Sequence, residues 1–193
     1  MMGKNHIISN TCSVVSLCSI GYLLDRLPGP VSNLIDLTLE TIKNTVIAPH
    51  QGWFYYPLSV GLFYLGTLLP DIDNSKSTLG RFLYLPIEHR TWTHAIWFPI
   101  ILVIVSYWYR PLFWLSFGYF LHLFWDNFSA AGNCFLYPIS NYRRYPNYAK
   151  VKKGHWFKLY RAGELSETIV VVMIVVFTIL LSVFCLVSRF QAM

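Results

Sequence analysis

Three short stretches carry the residues that could do chemistry. "LPDIDNSKS" at 69–77 holds Asp71 and Asp73, "EHRTWTH" at 88–94 holds His89 and His94, and "HLFWD" at 122–126 holds His122 and Asp126. His6 stands near the start of the chain, and Glu164 and Glu167 stand near its end. Imidazole and carboxylate donors without sulfur are the ligand set of a divalent metal such as Zn, Mn or Fe. A set of this size suits one or two ions, two better than one. His122 and Asp126 are four apart, so on a helix they share a face and can bind one metal or bridge two. His89 and His94 are five apart. A continuous helix would turn them away from each other, which places His89 in a loop and His94 in the first turn of the next helix, with Thr93 as its N-cap.

Each element alone has a structural reading. Asp-x-Asp after an apolar run caps a solvated turn. His122 and Asp126 could simply bond each other, although ionisable groups within a span are costly and usually functional. Glu164 and Glu167 suit a helix N-terminus, where the dipole favours acid. Arg90 either steadies a phosphate as a bidentate donor or anchors the chain at a membrane surface. The combination is what points to a metal centre, with His89, His94, His122, Asp126 and Asp71 or Asp73 as ligands, Asp73 being the one that also suits capping the Asn74–Ser77 turn. His6 is a further ligand, and Glu167 or Glu164 completes the set or acts as base.

The elements that must position these groups read as membrane spans. Of the 193 residues, 55% are hydrophobic and 12% are charged, about half the charge of a soluble domain. Five apolar segments approach the roughly 20 residues a spanning helix needs: 7–24, 53–69, 95–109, 111–131 and 168–187. The expectation is an all-α, polytopic membrane protein forming one domain over 1–193. It has about five transmembrane helices, plus an interfacial amphipathic helix over 33–47 that follows the break "LPGP". The four cysteines form no CxxC pair and read as small buried hydrophobes.

Five spans send alternate connections to opposite sides. The side that receives the N-terminus and the 71–93 and 132–167 connections holds 11 of the 15 Lys and Arg residues. Basic residues mark the cytoplasmic side, so the N-terminus and the metal site are expected there. The loop "YRRYPNYAKVKKGHWFKLYR" interleaves aromatic and basic residues. It suits an interfacial belt or an anionic lipid headgroup. Nucleic acid ranks lowest, because no recognition fold accompanies the basic residues.

"LPDIDNSKSTLGR", then "HRTWTHA", then "GYFLHLFWDNFSAAGNCFLYPIS" resembles the YdjM family of bacterial inner-membrane proteins, described as metal-dependent hydrolases. The similarity is read over most of the chain, from His6 to Glu167. The family is distantly similar to the zinc-dependent phospholipase C and nuclease superfamily, all-helical enzymes that cleave phosphoesters with a metal cluster. The resemblance implies metal ligation by Asp71, Asp73, His89, His94, His122 and Asp126, with His6 and Glu167 as weaker matches. Trp92 departs from the family's usual HRG-x-TH pattern, which implies an altered pocket mouth. The expected activity is hydrolysis of a phosphoester or lipid-like substrate, with membrane lipids as partners. The competing reading is a metal-binding transporter, sensor or scaffold. Transport needs polar groups through the bilayer midplane, and only the first span, with Ser9, Thr11, Ser13, Ser16 and Ser19, offers them.

Overall fold

The computed structural model describes residues 3–24, 54–87, 89–138, 142–145, 148–151 and 157–190. The amphipathic helix expected over 33–47 lies outside the described residues. Five α-helices occur among those described, one at each expected span: α1 (Gly3–Leu24), α2 (Tyr55–Leu68), α3 (Trp97–Ser106), α4 (Leu112–Asp126) and α5 (Leu165–Phe190). The architecture is therefore helical, as expected. One departure is an antiparallel ribbon of β1 (Tyr142–Tyr145) and β2 (Tyr148–Val151), with Tyr145 paired to Tyr148. Tyr and Val favour strands.

Five helices are not five clear spans. Only α1 and α5 are both long and apolar enough to cross a bilayer. The α2 helix has 14 residues, α4 has 15 and α3 has ten, and at 1.5 Å per residue each falls short of the roughly 30 Å hydrocarbon core. Two 3-10 turns lie at the site end. Leu69–Asp73 continues α2, with Pro70 in its first turn, where a missing N–H costs nothing. Trp92–His94 precedes α3. Pro99 is accommodated for the same reason, in the first turn of α3, and its carbonyl accepts a 2.6 Å bond from Ser116 Oγ.

The α1 and α5 helices run parallel, because Asn5 meets Glu167, Ser16 meets Thr178 and Cys185 meets Ser19. Small and hydroxyl residues let the two backbones approach and bond across the seam, as in membrane helix pairs. The α2–α4 crossing is closer still. A Cβ on Gly66 would lie 2.0 Å from Leu115 O, and one on Gly118 would lie 2.1 Å from Phe63 O. Only glycine fits at both points, and this contact sets the height of α4 against α2. Asn10 on α1 fastens the crossing by donating to Thr67 Oγ1 at 3.0 Å and to Gly118 O at 3.2 Å. The starts of α1, α3 and α5 and the ends of α2 and α4 consequently meet at one end of the bundle.

Candidate metal centre

His6 sits in the first turns of α1, Asp71 and Asp73 in the 3-10 turn that ends α2, and His94 in the 3-10 turn before α3. His122 and Asp126 occupy one face of α4, as their spacing requires. All six are buried, and His6, His94, His122 and Asp126 are fully so.

At the centre lie four atoms: Nε2 of His94, Nε2 of His122, Oδ1 of Asp71 and Oδ2 of Asp126. His94 Nε2 is 3.8 Å from Asp71 and 3.4 Å from Asp126, and His122 Nε2 is 3.7 Å from each. These separations are too long for hydrogen bonds. Neither nitrogen has a hydrogen-bond partner among the described residues. Yet the edge of a tetrahedron with ligands at 2.0–2.2 Å is about 3.4 Å. Two fully buried imidazole nitrogens without partners, facing two buried carboxylates at that spacing, fit a divalent cation. The wider donor set forms two groups, His6–His122–Asp126 and Asp71–His89–His94, each with ligand atoms within 4.8 Å of one another.

The surrounding bonds aim the central atoms. His122 Nδ1 donates to the Thr67 carbonyl at 2.7 Å, which leaves Nε2 to present its lone pair inward. That carbonyl is available because the glycine crossing brings α2 within reach of α4. His6 stacks on His122 with ring centroids 3.7 Å apart and sets its Nε2 3.3 Å from Asp126 Oδ1. Thr93 Oγ1 lies 3.0 Å from His94 Nδ1. Outer partners of this kind fix the tautomer and orientation of metal-binding histidines.

Asp73 departs from expectation. Its carboxylate does not cap the Asn74–Ser77 turn; Asn74 Oδ1 does that, accepting from the Lys76 N–H at 3.0 Å. Asp73 instead braces the 89–94 segment. Oδ1 pairs with His89 Nδ1 at 2.6 Å, while Oδ2 accepts the Arg90 N–H at 3.1 Å and the Thr93 hydroxyl. Thr93 is thus a partner of Asp73 and not an N-cap. Burial alone pushes the Asp73 carboxyl up, but the bonds to His89 and Thr93 and the nearby His94 imidazole outweigh it and hold it below the usual range. For His94 burial pushes the imidazole down. The carboxylates of Asp126, Asp73 and Asp71 push it up and prevail. The three carboxylates thus favour positive charge at His94.

Arg90 is neither a surface anchor nor an exposed phosphate clamp. It is buried, and its guanidinium holds Asp126 Oδ2 at 3.2 Å, Ser129 Oγ at 2.7 Å and Gly132 O at 3.0 Å. Its backbone has φ 66°, the only positive value at a non-glycine among the described residues. That conformation costs of order 1–3 kcal/mol. The Asp73 carboxylate on its N–H and the Cys134 N–H on its carbonyl at 3.3 Å hold it there.

The two glutamates belong to neither donor group. Glu167 is buried, but accepts from Asn5 Nδ2 at 2.7 Å and from the Gly163 N–H at 2.5 Å, latching the start of α5 to that of α1. Glu164 is exposed and pairs with Arg161 at 3.7 Å. Trp92 turns outward onto Tyr137, with ring centroids 4.9 Å apart. Sequence reasoning missed Thr67, Asn10 and Ser129. No motif marks them, because each acts through a hydrogen bond that only the folded packing creates.

A family model described as "YdjM inner membrane protein" matches residues 38–192. The chain belongs to the YdjM inner membrane protein family. The match includes the Asp71, His89, His94, His122 and Asp126 motifs of this YdjM member. It begins at residue 38, after His6. Neither the curated proteins nor the solved structures contain a match.

Proposed function

We propose that this YdjM-family protein is a multi-pass, metal-dependent phosphoester hydrolase of the inner membrane, with its site at the cytoplasmic face. The observation that carries the reading is the convergence of His94, His122, Asp71 and Asp126 at the ligand-to-ligand spacing of a divalent ion. Zinc fits these donors best, with Mn or Fe as alternatives. A bound ion supplies Lewis acidity toward a phosphoryl oxygen and lowers the pKa of a water to about 7.

The protein's own groups do the rest. Arg90 and His6 hold Asp126 in place, and Thr67 and Thr93 orient the two central histidines. His89 is the one residue of the cluster with substantial exposure, its side chain being 34% accessible, and Asp73 orients it at 2.6 Å. A histidine aligned by a carboxylate at the open edge of a site is a group able to transfer a proton. It takes the role that Glu164 and Glu167 were expected to fill. The polar residues of α1 support catalysis over transport. Thr11 bonds Ile7 O, Ser13 receives the Trp125 N–H, and Ser16 bonds Thr178, so these three side chains serve helix packing.

A second reading is a metal that only ties helix ends together. It is favoured by the four protein ligands at the centre, which fill a tetrahedral set. Metal analysis of the purified protein, combined with a phosphoester screen, separates the two. Stoichiometric metal with hydrolysis that His89→Ala abolishes supports the enzyme. Stoichiometric metal without hydrolysis supports the tie, and absence of metal refutes both.

A further inference from the structure

The loop over residues 74–87 is firmly folded, yet it presents apolar side chains outward. Ser77 Oγ donates to Asp71 O at 2.7 Å and accepts the Gly80 N–H at 2.9 Å. The Leu83 N–H bonds Leu79 O at 3.0 Å, and the Leu85 N–H returns to Ile72 O at 3.1 Å. Gly80 packs so closely that a Cβ there would stand 2.1 Å from Asn74 O. From this frame Phe82, Leu83, Tyr84 and Leu85 project in succession at 83, 61, 52 and 45% exposure. Arg81 and Lys76 are exposed beside them.

A run of four large apolar residues held out by an ordered loop marks an interaction surface. Three observations select its occupant. The loop leaves α2 at the end of the bundle where the two helices long and apolar enough to cross a bilayer, α1 and α5, begin, which is where a bilayer surface would lie. An aromatic–aliphatic run flanked by Arg and Lys has the composition of a segment seated at the acyl–headgroup boundary, with the cations toward anionic headgroups. The loop also spans the interval between Asp73 and His89, which is the pair at the site's open edge.

We infer that residues 79–87 insert into the bilayer interface and turn the open edge of the site toward the headgroups, so that the substrate class is a membrane lipid phosphoester and not a water-soluble one. The substrate part of this inference rests on the hydrolase reading; the seating of the loop does not.

Full-length protein in phosphatidylethanolamine–phosphatidylglycerol vesicles tests both. In Phe82→Trp, the fluorescence added over wild type should be quenched by lipids brominated on their acyl chains and be insensitive to aqueous iodide. Quenching by iodide instead would overturn the inference. Protection from both quenchers would also overturn it, since the loop would then face protein, such as a second copy of this chain. The second arm uses Phe82→Asp with Leu83→Asp, positions whose exposure leaves the fold intact. The double variant should keep its metal content and its rate on a soluble aryl phosphoester. It should lose about tenfold or more on lipid phosphoester in vesicles, since burial of one such side chain corresponds to roughly that factor. Equal loss on both substrates, or no loss on lipid, would refute the substrate class. If wild type cleaves neither, the hydrolase reading fails, while the quenching result still decides where the loop sits.

Discussion

Replacing Gly118 with alanine tests whether the site depends on the α2–α4 crossing. The new Cβ would stand 2.1 Å from Phe63 O and 3.1 Å from Thr67 N. Carbon–oxygen contacts settle at about 3.3 Å or more, so the helices must part by roughly 1 Å. Thr67 O now sits 2.7 Å from His122 Nδ1, and that displacement takes it beyond hydrogen-bonding range. The lost bond costs about 1 kcal/mol and the overpacking about 1–3 kcal/mol, for a total of about 2–4 kcal/mol. Loss of an outer partner of a ligating histidine weakens metal binding by about 10–100-fold. Thermal unfolding in detergent and a competitive metal titration read the two effects. Gly61→Ala is the control: among the described residues nothing beyond its chain neighbours and its own helix backbone lies within 4 Å of its Cβ, and the helix-propensity gain of up to about 1 kcal/mol makes it neutral or stabilising. A Gly118→Ala protein with wild-type stability and metal affinity would refute the argument that this crossing aims His122.

Other outcomes follow from the same geometry. His122→Ala and Asp126→Asn should each remove stoichiometric metal, measured by elemental analysis, whereas Glu164→Gln, at an exposed position, should retain it. Arg90→Ala leaves the buried Asp126 carboxylate without its guanidinium, and breaking such a pair costs about 3–5 kcal/mol, visible as a lowered Tm. Glu167→Gln should loosen the Asn5 latch by about 1–3 kcal/mol without changing metal content; loss of metal in that variant would place Glu167 in the ligand set. Chelation of purified protein should lower Tm, and readdition of metal at 100 times Kd should restore about 2.7 kcal/mol.

The sequence by itself determined where the helices lie and which of their ends carry the cluster's residues. Hydropathy is a local property, so the five apolar segments could be located to within a few residues. Alternation then carried His6, Asp71, His94, His122 and Asp126 to one end. The spacing of His122 and Asp126 set a common face through helix periodicity alone.

Tertiary structure decided what each residue does there. Asp73 and Glu167 are both buried acids at the same end, yet one braces His89, Arg90 and Thr93 and the other latches α5 to α1. Arg90 looked like a surface cation and is buried against Asp126, because Ser129 and Gly132, some forty residues on, fold back to receive it. The tautomer of His122 depends on the Thr67 carbonyl, 55 residues away. Hydrogen bonds act within about 3 Å, so these partnerships exist only once the chain has packed. Two glycines set the packing at the α2–α4 crossing, and their role there is a matter of the space around them.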